Sequence, residues 1–144
     1  MGAFEQLTAP ITRTQIVRFA GAAGDFNPMH HDEPFARANG QPSVFAMGQL
    51  TAALLGSAVA ERLGRGTLAG YGVRFKDKVW PGDRLMLSGR RVDQRRWDLM
   101  AVREADDVVV MTGWAIVRPS QYPRPEAASS AAGARSSASA IRSS

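Results

Sequence analysis

Both histidines of the 144-residue chain lie within nine residues, "GDFNPMHHD" from Gly24 to Asp32, together with two aspartates, an asparagine and a proline. Asp25 and His30 are five positions apart. On an uninterrupted helix their side chains would diverge by about 140°, but a loop bent at Asn27 and Pro28 can aim both at one point. A carboxylate and an imidazole converging on one water form a general acid–base pair, one removing a water proton while the other supplies a proton to the substrate. Addition of water across a double bond needs that chemistry. Residue types alone leave plainer uses open: an Asx-turn for Asp25 and a hydrogen-bonded loop position for His30. A metal site from His30, His31 and Asp32 is disfavoured, because neighbouring side chains point apart and no further histidine or cysteine exists to complete a sphere.

The loop needs elements on either side to hold it. Upstream, "TRTQIVRFAGAAG" places Thr12 and Gln15 at capping-box spacing and gathers Ile16, Val17, Phe19 and Ala20 on one side, which predicts a short helix ending near Gly21 or Gly24. Downstream, "DEPFARANG" predicts another, with Asp32 as N-cap, Pro34 in the first turn and Gly40 as its stop. From Met47 to Leu63, "MGQLTAALLGSAVAERL" has no charge before Glu61 and ends at Gly64, the pattern of a helix buried nearly all round. The period then changes. "YGVRFKDKVW", "RLMLSGRRV", "WDLMAVREA" and "VVVMTGWAIVR" are rich in β-branched and aromatic residues and are separated by "PGD", "DQRR" and "DD". They predict an antiparallel meander, the last strand central or at an interface. One long apolar helix followed by about four such strands makes an α+β layer, the sheet wrapping the helix.

Composition narrows the class. With 44% hydrophobic and 22% charged residues the chain reads as one globular domain, and it has no stretch of membrane-spanning length. "MGAFEQLTAP" shows neither a basic start nor an apolar core segment, so cytoplasm is the default expectation. Residues 1–118 form the expected domain, and 119–144, dominated by Ser, Ala and Pro, a disordered tail. The tail carries Arg124, Arg135 and Arg142 against Glu126, a net +2 of the formal +5, leaving +3 for the domain. That mild excess lacks the basic face interleaved with aromatics expected of a nucleic-acid binder. The densest cluster, "RRVDQRR" from Arg90 to Arg96, reads as the solvated end of a hairpin, although arginine forks also suit a phosphorylated carrier.

"FAGAAGDFNPMHHDEPFA", Phe19 to Ala36, resembles the signature of the MaoC-like, (R)-specific enoyl-CoA hydratase family, an aromatic and a small-residue run before G-D-x-N-P-x-H-x-D. Phe45, Ala46 and Gly48 ahead of the apolar helix, and "VRFKDKVWPGD" at Val73 to Asp83, extend the likeness over about residues 12 to 118. The resemblance implies a hot-dog fold and hydration of a trans-2-enoyl thioester, on CoA or acyl carrier protein, to the (R)-3-hydroxyacyl thioester, or the reverse dehydration. It implies Asp25 and His30 as the catalytic pair, Asn27 as the residue fixing their loop, and the Gly48 N–H as the donor that polarises the thioester carbonyl. No metal and no cofactor are expected. A homodimer is the expected assembly, with a heteromer alongside another hot-dog subunit as the variant. His31 has no role to inherit and reads as a surface residue.

The chain departs from the family pattern at Met47, where a histidine commonly precedes the glycine, and at Gly56, where some hydratases carry a serine. The strand expected ahead of the first helix is poorly marked, since "FEQLTAPI" is short and holds Pro10. Two other classes share the fold. A thioesterase would hydrolyse the thioester and place an acid on or near the central helix, whereas Met47 to Ala60 has none. A non-catalytic acyl-binding subunit would not need a carboxylate and an imidazole in a proline-bent loop. The small residues of "AALLGSAVA" serve either a bulky acyl group or close packing of sheet on helix.

Overall fold

The computed structural model describes residues 2–118, so the expectation for residues 119–144 lies outside the described residues. Strand β1 (Ala3–Leu7) precedes helix α1 (Arg13–Ala23), a single 3-10 turn (Pro28–His30), helix α2 (Glu33–Ala38) and helix α3 (Gly48–Leu63). Strands β2 (Leu68–Phe75), β3 (Leu85–Arg91), β4 (Arg96–Arg103) and β5 (Val108–Val117) follow. The sheet is antiparallel throughout, in the order β1-β3-β4-β5-β2. The core lies between its inner face and α3, where Leu50, Leu55, Ala58 and Val59 meet Leu85, Leu87, Leu99, Met111 and Ala115. This is the expected α+β arrangement of an antiparallel sheet around a long helix.

The expected meander holds for β3-β4-β5 alone. β2 pairs with β5 instead of β3, Tyr71 opposite Ala115 and Phe75 opposite Met111. The segment between β2 and β3 therefore crosses the sheet, and it carries the "WPGD" turn, in which Asp83 Oδ2 accepts from the Trp80 N–H at 2.8 Å. The poorly marked first strand exists because β3 supplies its partner. Phe4 sits opposite Gly89, where a Cβ would collide with the Phe4 ring.

The helix boundaries follow their local signals. The Thr12 hydroxyl caps α1 by accepting from the Gln15 N–H at 3.0 Å, and Asp32 caps α2 through the Phe35 N–H at 3.0 Å. Gly24, at φ 71°, closes α1 in the left-handed conformation and turns the chain into the loop of interest. α3 differs from expectation, because it is not buried all round. Gln49, Ala53 and Ser57, four apart, form an exposed stripe. Small and uncharged residues conceal such a stripe from any reading by polarity.

Candidate active site

The bent loop brings Asp25 and His30 together. Gly24 ends α1, the Asp25 N–H closes back on the Ala20 carbonyl at 3.0 Å, and the 3-10 turn that begins at Pro28 delivers His30 inward. His30 Nε2 lies 3.5 Å from Asp25 Oδ2, and their side chains are 8% and 35% exposed. The pair is thus buried at the imidazole and open at the carboxylate.

The other nitrogen of the ring is committed. His30 Nδ1 is 2.7 Å from the Phe45 carbonyl oxygen, and a carbonyl only accepts, so Nδ1 carries the hydrogen. Nε2 is left to face Asp25. The Phe45 ring adds an edge-on contact at 5.2 Å between centroids. Asp25 also fills its plainer use, since Oδ1 accepts from the Asn27 N–H at 3.4 Å while Oδ2 faces the imidazole. Asn27 stiffens the same turn, its Oδ1 accepting from the Met29 N–H at 3.0 Å. His31 is exposed, its Nε2 3.4 Å from the Phe26 carbonyl oxygen and outside the pair. No three acidic, histidine or cysteine side chains gather to hold a metal among the described residues.

Gly48 opens α3, so its N–H belongs to the first-turn donors that have no intrahelical partner and sit at the positive end of the helix. A side chain there would meet the Phe75 ring, whose carbons lie 2.8 Å from a Cβ built on Gly48. Only glycine lets that ring lie against the start of the helix. Met47, standing at the family's histidine, is 2% exposed and joins the core. Beside Gly56 the Tyr71 ring comes to 3.5 Å of a built Cβ, and the Tyr71 hydroxyl donates to the Ala52 carbonyl at 2.7 Å. The 3.5 Å to the ring is ordinary van der Waals distance, so a methyl group would fit beside it. Burial pushes the Tyr71 phenol up to about 12.

Three further groups position the segments around the pair. Glu33 accepts from Arg13 at 2.8 Å and from Ser43 and the Val44 N–H at 3.4 Å, tying α1 and α2 to the segment that leads into Phe45. The Arg13 hydrogen bond holds its carboxyl below the usual carboxylate range. Arg103, 8% exposed, donates to both Asp106 oxygens at 2.8 Å and to the Lys78 carbonyl at 2.7 Å. It thereby fixes the loop whose Val79 carbonyl accepts from the Ala46 N–H at 2.8 Å. Arg103 occupies an inner-face position after Trp97, Leu99 and Ala101 in β4; a charge in that register is the signal that could have revealed it. Phe45 is the third, a junction with its carbonyl on His30 and its ring 5.8 Å from Trp80.

The arginine-rich segment is the end of the β3–β4 hairpin. The Asp93 carboxylate accepts from the Arg95 and Arg96 N–H groups at 2.7 and 2.8 Å, and Arg91 donates to the Asp93 and Gln94 carbonyls. Arg90 and Arg96 pair with Asp98 at 3.4 and 3.7 Å.

A family model described as "MaoC like domain" matches residues 3–112. Among curated proteins, the chain is 30% identical over 115 residues to the enoyl-CoA hydratase ChsH3 of Mycobacterium tuberculosis. The match takes in 78% of this chain and 40% of that relative, so the chain spans less than half the length of the curated relative. Among solved structures it is similar to an (R)-hydratase from A. caviae involved in PHA biosynthesis, with 25% identity, a TM-score of 0.69 and coverage of 81% of this chain and 94% of the other. R-hydratase PhaJ1 from Pseudomonas aeruginosa gives 24% identity and a TM-score of 0.71 over 85% of this chain and 89% of the other. A chain of the ChsH1-ChsH2 complex from Mycobacterium tuberculosis gives 23% identity and a TM-score of 0.67 over 81% and 97%. The last two establish the shared fold.

Proposed function

The chain belongs to the MaoC-like domain family, and on that footing we propose that it adds water to trans-2-enoyl thioesters, giving (R)-3-hydroxyacyl thioesters, or runs the same step in reverse. The observation that carries this reading is the Asp25–His30 pair, 3.5 Å apart, with Nδ1 committed to the Phe45 carbonyl. With one proton held on Nε2, the Asp25 carboxylate takes a proton from water as its oxygen bonds to C3 of the enoyl group. The C2–C3 π electrons move toward the thioester carbonyl, whose developing negative charge the Gly48 N–H meets. Nε2–H then delivers its proton to C2. Transfer of the proton gained by Asp25 to His30 restores the pair, so the balance is enoyl thioester plus water to 3-hydroxyacyl thioester. Asn27 keeps Asp25 oriented and takes no proton.

Two copies are expected to meet through β2, which pairs with β5 on one side and ends the sheet on the other. A hot-dog subunit of another sequence could use the same edge. Hydrolysis of the thioester is the weaker reading, because α3 has no acid before Glu61, which is exposed near its far end. The test is an assay on crotonyl-CoA and a longer enoyl-CoA. Loss of the conjugated enoyl absorbance without free thiol supports hydration; release of free CoA would replace it with thioester hydrolysis, and an unchanged spectrum on both substrates would count against either activity.

A further inference from the structure

The fold gathers arginines at one end of the molecule, around the tip of the β3–β4 hairpin. The Val117 N–H donates to the Arg95 carbonyl at 2.8 Å, and the Arg118 N–H to the Thr67 carbonyl at 2.7 Å. Thr67 donates through its hydroxyl to the Gly64 carbonyl at 2.6 Å, which brings in the turn that carries Arg65. Arg65, Arg90, Arg91, Arg95, Arg96 and Arg118 therefore share this end, and all six are exposed. Asp93 and Asp98 are the acids among them, while Glu61 and Arg62 offset one another in the last turn of α3. The resulting excess of +4 is larger than the +3 of residues 1–118 as a whole, so the rest of the domain carries −1.

These cations are short of partners. Asp98 serves both Arg90 and Arg96, at 3.4 and 3.7 Å, and the Asp93 carboxylate is taken up by the Arg95 and Arg96 N–H groups. The Arg91 guanidinium donates to neutral carbonyls. Those of Arg65 and Arg118 make neither a hydrogen bond nor an ion pair among the described residues. Like charges held this close repel until counter-charge arrives. Among them stands Val92, 49% exposed, its N–H closing the hairpin on the Arg96 carbonyl at 2.9 Å.

The surface that matches this end presents many phosphates in one plane with an apolar layer beneath them. Guanidinium forks fit phosphate oxygens, and a half-exposed valine gains by leaving water. We propose that this end docks the protein on an anionic phospholipid bilayer, with the arginines on lipid phosphates and Val92 at the headgroup boundary. Nucleic acid offers the phosphates without the apolar layer, and "RRVDQRR" interleaves no aromatic with its arginines. The chain continues from Arg118 into residues whose sequence adds a further +2. The contact is with the bilayer surface and needs no spanning segment. It also stands apart from the catalytic reading. The 16 residues of α3, about 24 Å, separate this end from Gly48, so a docked protein keeps the acid–base pair away from the bilayer.

Sedimentation of the full chain with lipid vesicles tests this without turnover. The parent should bind vesicles of equal parts phosphatidylglycerol and phosphatidylcholine, ignore vesicles of phosphatidylcholine alone, and leave the mixed ones as salt rises. Arg65→Glu with Arg118→Glu should lower the partition coefficient by roughly tenfold or more, because each cation beside an anionic surface strengthens binding several-fold. Neither side chain bonds within the described residues, so the hairpin stays intact. Val92→Asn should lower the coefficient roughly threefold whatever the salt. Arg74→Glu with Lys76→Glu makes the same change in net charge at the far end of β2 and should bind like the parent. No binding to the mixed vesicles, equal binding to phosphatidylcholine alone, equal losses from the two double variants, or parental binding by Val92→Asn would each overturn the proposal. Tighter binding to duplex DNA than to the mixed vesicles at equal phosphate would do the same and assign the end to nucleic acid. A loss of vesicle binding that comes with a changed oligomeric state in analytical ultracentrifugation would place Arg65 and Arg118 in a contact between copies instead.

Discussion

Replacing Arg103 by methionine keeps a long unbranched stem in the inner-face position and removes every bond its guanidinium makes. The Lys78 carbonyl, 2.7 Å from Nη1 in part-buried surroundings, loses its charged donor, which costs about 2 kcal/mol. Asp106 is about half exposed and returns to water at little cost. For a folded unit of this size, about 2 kcal/mol lowers Tm by roughly 10 °C. Arg90→Met is the control, since Arg90 meets Asp98 at 3.4 Å on the surface with its own side chain 74% exposed, and it should change stability by less than about 0.5 kcal/mol. Thermal unfolding followed by circular dichroism reads both. The hydrogen bond from Arg103 holds the Asp106 carboxyl below the usual range. A depressed carboxyl stabilises the fold above its unfolded pKa of about 3.9 and loses that contribution as pH falls through the lower folded value. The gap between parent and Arg103→Met should therefore narrow in acid. A Tm loss no larger than that of Arg90→Met would refute the claim that this guanidinium anchors the loop.

Tyr71→Phe removes the bond to the Ala52 carbonyl and should cost about 1 kcal/mol in chemical denaturation. Because the phenol is raised to about 12, its contribution is complete below the unfolded value of about 10 and is lost as pH rises through 12; the phenylalanine variant should lack that alkaline sensitivity. Exhaustive chelation should leave hydration unchanged, and loss restored by one divalent ion would overturn the metal-free mechanism. Ending the chain after Gln121 should preserve folding, assembly and turnover, with at most a higher KM at low ionic strength from loss of the +2 arm. A truncation inactive at every salt concentration would show residues 122–144 to be structural.

What could be read from residue order was what local chemistry determines. Thr12, Asp32 and Gly24 mark helix ends because caps and left-handed turns act within a few residues. The convergence of Asp25 and His30 was legible for the same reason, since Asn27 and Pro28 bend the chain between them. β1 was barely visible because its pairing with β3 is made more than eighty residues later, at Phe4 and Gly89. The placement of β2 beside β5 likewise depends on a crossover that no run of residues declares. Resemblance alone singled out Gly48; the structure adds the ring of Phe75 lying against the start of its helix.

The central claim is that Asp25 and His30 act as one acid–base unit, and steady-state hydration by Asp25→Asn, His30→Ala and the double variant tests it most directly. Each single change should lower kcat on enoyl-CoA by roughly 10²-fold or more, with unfolding curves like the parent's, and the double variant should fall little further. Near-parental turnover by either single variant, on a substrate the parent hydrates, would contradict the account.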